Sequence, residues 1–164
     1  MTLDFNATQF PYAAIDIIAI RMQLIDSSVT VLKRQLRGQD PNFSIGVFPK
    51  DWTPVLSSNE MLGVDYARSP TLENYTVTVQ ALVKDAVEET GLRNHSNLSE
   101  MVRTILGSDA PLRGQLGGLT VYFNGVGKRL KKWTVRSSKY YGNQIAGNNL
   151  YLTTTELTLE VEKI

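Results

Sequence analysis

Any chemistry in this chain has to run through a short inventory of residues. There is no cysteine and a single histidine, His95. Thiolate nucleophiles, disulfides, thiolate metal sites and multi-histidine metal sites are therefore excluded together. A Ser-His-Asp triad would have to use His95, which stands between Asn94 and Ser96 in a polar run with no nucleophile elbow beside it. It reads as a solvated loop histidine. Asn124-Gly125-Val126-Gly127-Lys128-Arg129 has the outline of a phosphate loop. The first glycine of that pattern is missing, however, and Arg129 stands where a Ser or Thr would hold Mg²⁺. A glycine-rich turn between strands is the simpler reading. Glu88 and Glu89 are adjacent, so they diverge in either regular structure and make a poor acid–base pair. No calcium-loop, dinucleotide, zinc-finger or RRM pattern occurs. The expectation is a protein that is not an enzyme and uses no cofactor or metal.

Charge is more informative. Between Ala110 and Thr155 there is no Asp or Glu, while Arg113, Lys128, Arg129, Lys131, Lys132, Arg136 and Lys139 are all present. That stretch holds +7, so within an overall charge of +1 the rest of the chain holds −6. Separated charge of this kind attracts copies of the same molecule or a polyanion. The absence of cysteine suits a reducing cytoplasm. The N-terminal residues have no signal-peptide pattern, and the apolar run from Ile15 to Ile20 is broken by Asp16 and ended by Arg21. Neither export nor a membrane span is expected.

The elements that must position these residues can be read from periodicity. The 164 residues suit one domain with its own core. From Phe10 to Arg37, Ala14, Ile17, Ile18, Leu24, Ile25, Val29, Leu32 and Leu36 recur at steps of three and four. This spacing predicts one long N-terminal helix, closed by Gly38. Alternating Phe43, Ile45 and Val47 predict a short strand. Residues 49–73 contain Pro49, Pro54 and Pro70 and read as a long loop or insertion. Tyr75, Val77, Val79, Ala81 and Val83 alternate with polar residues and predict the clearest strand. After a polar loop, Asn97-Leu98-Ser99-Glu100 fits a capping box opening a helix through Leu106. Ser108 or Asp109 then caps a second short helix with Pro111 in its first turn. Leu119 to Phe123 follows as a strand.

The last third reads as an antiparallel pair, Leu130 to Tyr141 and Leu150 to Glu162, joined by Gly142 to Asn149. Its register can be derived. Trp133 and Val135 must share a face with Leu157, Leu159 and Val161, because one face is buried. Setting Trp133 opposite Leu159 and Val135 opposite Leu157 places Lys132 against Glu160 and Arg136 against Glu156. Each such pair contributes roughly 0.2–1 kcal/mol. Apolar and charge patterns select the same register independently. The expected fold class is α+β, with helices packed on a mixed, mainly antiparallel sheet.

Candidate interface residues fall in three groups. Trp52, Leu56, Met61, Leu62 and Tyr66 are large apolar side chains in the 49–73 segment. Lys128, Arg129, Lys131 and Lys139 are cations without a partner in the hairpin register. Gln144 and Ile145 sit at the hairpin tip.

The order of these elements resembles the tail terminator (tail completion) proteins of long-tailed bacteriophages. The resemblance spans nearly the whole chain. It rests on size, on the strand Asn74 to Val83, and on the closing strand Glu156-Leu157-Thr158-Leu159-Glu160-Val161-Glu162, with no functional residue to carry over. It implies a homohexameric ring that caps the tail tube and faces the head-completion protein, with DNA passing through its lumen. It also implies assembly in the host cytoplasm and residence in the virion tail. Other connection rings, such as a head-completion or stopper subunit, and the tail tube protein share these features. A small nucleic-acid or ligand binding module is the alternative from a different class.

Overall fold

The computed structural model describes residues 8–55, 72–123, 125–145 and 147–164, with the side chains of 52–55, 137–139, 141 and 143–145 left aside. The elements run α1 (Phe10–Gln23), β1 (Thr30–Leu32), β2 (Phe43–Val55), β3 (Leu72–Asp85), α2 (Glu88–Ser108), α3 (Ala110–Leu116), β4 (Thr120–Phe123), β5 (Val126–Ile145) and β6 (Asn148–Lys163). The six strands form one sheet in the order β1-β2-β3-β6-β5-β4. Among the described residues, only β1 and β2 pair in parallel. This is the expected α+β class.

Period-two alternation decides which face the helices cover. Val77, Val79, Ala81 and Val83 of β3 and Leu157, Leu159 and Val161 of β6 are buried with Ile45 and Val47 of β2. Ile18 and Met22 of α1, and Leu98, Val102 and Leu106 of α2, pack on them in one core. The alternate positions Thr76, Thr158 and Glu160 carry polar side chains to the other face. That face is partly crossed by the chain after β1. The Leu36 amide donates to Gln80 Oε1 at 3.0 Å, and a Cβ on Gly46 would come within 2.6 Å of the Arg34 carbonyl oxygen. Gly46→Ala therefore forces the crossing segment away from the sheet. The expected loss is about 1–3 kcal/mol, read as a shifted urea midpoint at unchanged slope.

The long N-terminal helix is a correction. α1 stops at Gln23, and Thr30–Leu32 is a strand. Asp26 explains the break: its Oδ1 accepts from the Ser28 amide at 2.8 Å and from the Ser28 hydroxyl at 2.7 Å. Short polar side chains of this kind offer the backbone an alternative to the helix. The β-branched run that follows then pairs with β2. Leu24, expected in the buried stripe, is 66% exposed.

The loop expected at 49–73 also shrinks, because residues 49–55 continue β2 and Leu72 and Glu73 open β3. Pro49 adjoins a register shift before Asp51. β1 covers only residues 44–46, so from Val47 the outer side of β2 has no strand partner among the described residues. A bulge and an edge are where a strand tolerates proline.

The helix expected from Asn97 begins nine residues earlier, at Glu88. The Asp85 carboxylate accepts from the Val87 amide at 2.8 Å, and Glu88 and Glu89 lie in the first turn, where negative charge favours a helix. Gly91, within the stretch expected as a polar loop, is a packing residue: a Cβ there would lie 2.7 Å from the Tyr151 ring. α3 is as expected, with Pro111 near its start and the Asp109 carboxylate accepting from the Leu112 amide at 2.9 Å. Asp109 also takes two bonds from Arg21, at 2.8 and 3.1 Å. The Arg21 guanidinium holds its carboxyl below the usual aspartate range and ties α1 to the α2–α3 corner.

The hairpin register holds where it was derived. Trp133 opposes Leu159, Val135 opposes Leu157 and Lys132 opposes Glu160. Two features differ. The strands continue pairing to Ile145 and Asn148, so the expected 142–149 loop is a tight turn with Gly147 at φ 80°. Arg136 falls in a register shift between Val135 and Ser138, while Glu156 pairs with Lys50 from β2.

Candidate functional site

The β5 strand carries most of the basic stretch, and the structure divides its cations into two groups. Lys128 is committed internally. Its Nζ lies 2.8 Å from Glu73 Oε2 and 2.8 Å from the Tyr75 hydroxyl, and Tyr75 itself donates to Glu73 at 2.8 Å. Lys163 approaches the other Glu73 oxygen at 3.6 Å. Glu73 is 3% exposed, so this is a buried carboxylate that needs cations. Burial opposes the charge on Lys128, but the bonds from Glu73 and Tyr75 outweigh it and hold its pKa above the ordinary lysine value. Arg129 is also used within the chain, contacting Glu162 at 2.5 Å. Neither is the free interface cation expected from the sequence.

The second group faces outward. Lys131 sits in a register shift between Leu130 and Lys132, and Arg136 in the shift between Val135 and Ser138. A bulge inserts an unpaired residue and re-aims its side chain. Both residues are exposed, and neither makes an ion pair among the described residues. Between β5 and the α2–α3 corner runs a groove lined by Leu106, Gly107, Arg113, Lys131, Lys132, Trp133 and Val135. Arg113 donates to the Gly107 carbonyl at 2.5 Å, and Lys132 reaches Glu160 only at 3.6 Å. Trp133 packs partly against the core.

Other candidate residues are placed less fully. Trp52 opposes Tyr75 in the β2–β3 register. Lys139 opposes Thr154, Gln144 opposes Asn149 and Ile145 opposes Asn148. The side chains of these four are outside the described residues, as are Leu56, Met61, Leu62 and Tyr66 altogether. The phosphate-loop look-alike is a turn between β4 and β5, with Gly125 at φ 78°.

His95 is the residue most misjudged by its local sequence. It lies inside α2 and is 4% exposed. Its Nε2 is 2.7 Å from Thr153 Oγ1 and 3.3 Å from Ser99 Oγ, and the two hydroxyls are 3.0 Å apart. The rings of Tyr140 and Tyr151 lie 5.3 and 5.9 Å from its own. No carboxylate orients the imidazole among the described residues, so the cluster pins α2 to β6 and is not arranged as a charge-relay triad. Burial first, and then the Arg103 charge, push its pKa below the usual histidine value. A histidine depressed in the folded state favours folding most fully above its unfolded pKa of about 6.5. Its contribution is lost as pH falls below that value toward the depressed folded pKa. Urea unfolding should therefore show stability declining below about pH 6.5, with that component absent in His95→Gln. The i, i+4 spacing of His95 and Ser99 was visible in sequence; the partner Thr153, 58 residues away, was not.

No helix among the described residues is long and apolar enough to cross a membrane. No protein-family model and no curated protein matches the chain. One solved structure overlays on 90% of this chain and 91% of its own at 8% sequence identity, with a TM-score of 0.47. That degree of likeness carries no functional information.

Proposed function

We propose that this protein is a structural subunit of a phage tail, a terminator whose ring closes the finished tail tube and meets the head-completion protein. The observation that carries this reading is the order of elements. An N-terminal helix precedes two long strands, β2 and β3, that bracket residues 56–71; two consecutive helices follow; and the chain closes on the long β5–β6 hairpin. The sheet geometry is compatible with a ring. Its two sides are unlike, with β1 and the prolines of β2 on one and the short strand β4 on the other. A head-to-tail contact joins two different surfaces, which is what a closed cyclic assembly requires. Prolines, bulges and charges also blunt a strand edge against open-ended pairing, which favours a closed ring over a growing polymer.

The test is light scattering on the purified chain over a wide concentration range, with negative-stain images of the largest species. Closed rings of uniform size with a central hole are the expected result. Long tubes would reassign the chain to the tube itself. A monomer at every concentration that also fails to cap isolated tail tubes would remove the assembly reading.

A further inference from the structure

We infer that the groove between β5 and the α2–α3 corner is a binding surface for the phosphate backbone of DNA. Arg113, Lys131 and Lys132 line it, and Arg136 follows in the next bulge. Lys131 and Arg136 are five positions apart, about 16 Å along a strand, roughly half of the ~34 Å turn of duplex DNA. A row of cations on that scale can follow a phosphate chain, and each phosphate neutralised releases condensed counterions.

The rest of the molecule makes a second copy a poor occupant. Most described carboxylates already serve this chain's own cations: Asp16 with Lys33, Asp40 with Arg34, Asp109 with Arg21, Glu162 with Arg129. Asp26 is engaged by Ser28. Those left without an ion pair are Asp51 on β2 and, together at the start of α2, Asp85 and Glu88, two charges against the four cations of the row. Asp51 opposes Thr76 on β3, which puts it about 30 Å along the sheet from Asp85. Arg113 and Lys131 in the groove and Arg136 beyond it thus have no ion pair among the described residues, and Lys132 has only the 3.6 Å contact with Glu160. Its floor supplies apolar contact from Leu106, Val135 and the half-buried Trp133. Trp133 packs partly against the core, and one such ring among four cations favours backbone contact over a run of base stacking. The inference does not depend on ring formation.

The experiment is fluorescence anisotropy of a short labelled DNA duplex titrated with the whole chain, between about 50 and 200 mM salt. With four phosphate contacts, log affinity should fall against log salt with a slope of roughly −3 to −4. The double variant Lys131→Glu/Arg136→Glu, changed at two exposed positions, should bind at least about tenfold more weakly and shift that slope by about two. Arg93→Glu/Arg103→Glu, the same charge change at two exposed positions of α2, serves as the charge control and should change affinity little. Absence of binding at the lowest salt would overturn the inference. So would an equal loss in that control, which would mark a net-charge effect, and so would displacement of the duplex by poly-glutamate at equal charge, which would mark an acidic protein partner. Unchanged circular dichroism in the variants separates loss of binding from loss of fold.

Discussion

Lys128→Ala should be among the most destabilising single changes on this molecule's surface-facing strands, at about 3 kcal/mol or more. The change removes from the buried Glu73 the cation that lies 2.8 Å from its Oε2. Among the described residues Lys163 remains, at 3.6 Å and on the other carboxylate oxygen, and the Tyr75 hydroxyl carries no charge to set against it. The loss reflects the carboxylate left behind more than the worth of the ion pair. A paired change therefore separates the two. Lys128→Met combined with Glu73→Gln keeps the lysine's apolar stem and an acceptor for Tyr75, and should recover most of the stability. Chemical denaturation of Lys128→Met, Glu73→Gln and the double variant measures this directly. A loss under 1 kcal/mol in Lys128→Ala would mean that water reaches Glu73 and that the cluster is not a buried ion site. The cluster ties the starts of β3 and β5 to the end of β6, so its loss should first free the end of the sheet beside the N-terminus of α1.

Leu157→Ala should cost about 2–5 kcal/mol. Leu157 is fully buried on β6, opposite Val77 on one side and Val135 on the other, with helices packed over it. Strands on both sides hold the backbone, so the site cannot collapse around the missing methyl groups, and the cavity term adds to the transfer term. Thr158→Ala, one residue further along and on the other face, should stay within about 0.5 kcal/mol. A thermal or urea series on the two variants tests the assignment of faces as well as the energy. If the two lost comparable stability, the open face would be carrying weight that its polar residues do not suggest.

Residues close in sequence made much of this fold legible. The alternation of Tyr75 to Val83 predicted β3. The matched apolar and charged patterns of β5 and β6 predicted their register around Trp133 and Lys132. Asp109 and Pro111 predicted α3. Each signal repeats every two residues or spans a single turn, so it needs no knowledge of the distant chain. The excess of basic residues between Ala110 and Thr155, and the lack of cysteine, were likewise plain from composition.

What the tertiary structure decided lay in contacts between distant residues. α1 ends at Gln23 because the segment after Asp26 finds a strand to pair with, and helical spacing of apolar residues is indifferent to that choice. α2 begins at Glu88 because Gly91 lets the helix meet Tyr151 and because His95 meets Thr153; read locally, the same residues are a polar loop. The prolines of β2 are tolerated because that strand runs along an edge. Lys128 is a buried structural cation and Lys131 an exposed one, although they stand three positions apart. The first meets Glu73 across 55 residues of chain, while a bulge turns the second away. A burial or a pairing between residues far apart in the chain leaves no local period in the sequence, and so only the folded chain could assign those roles.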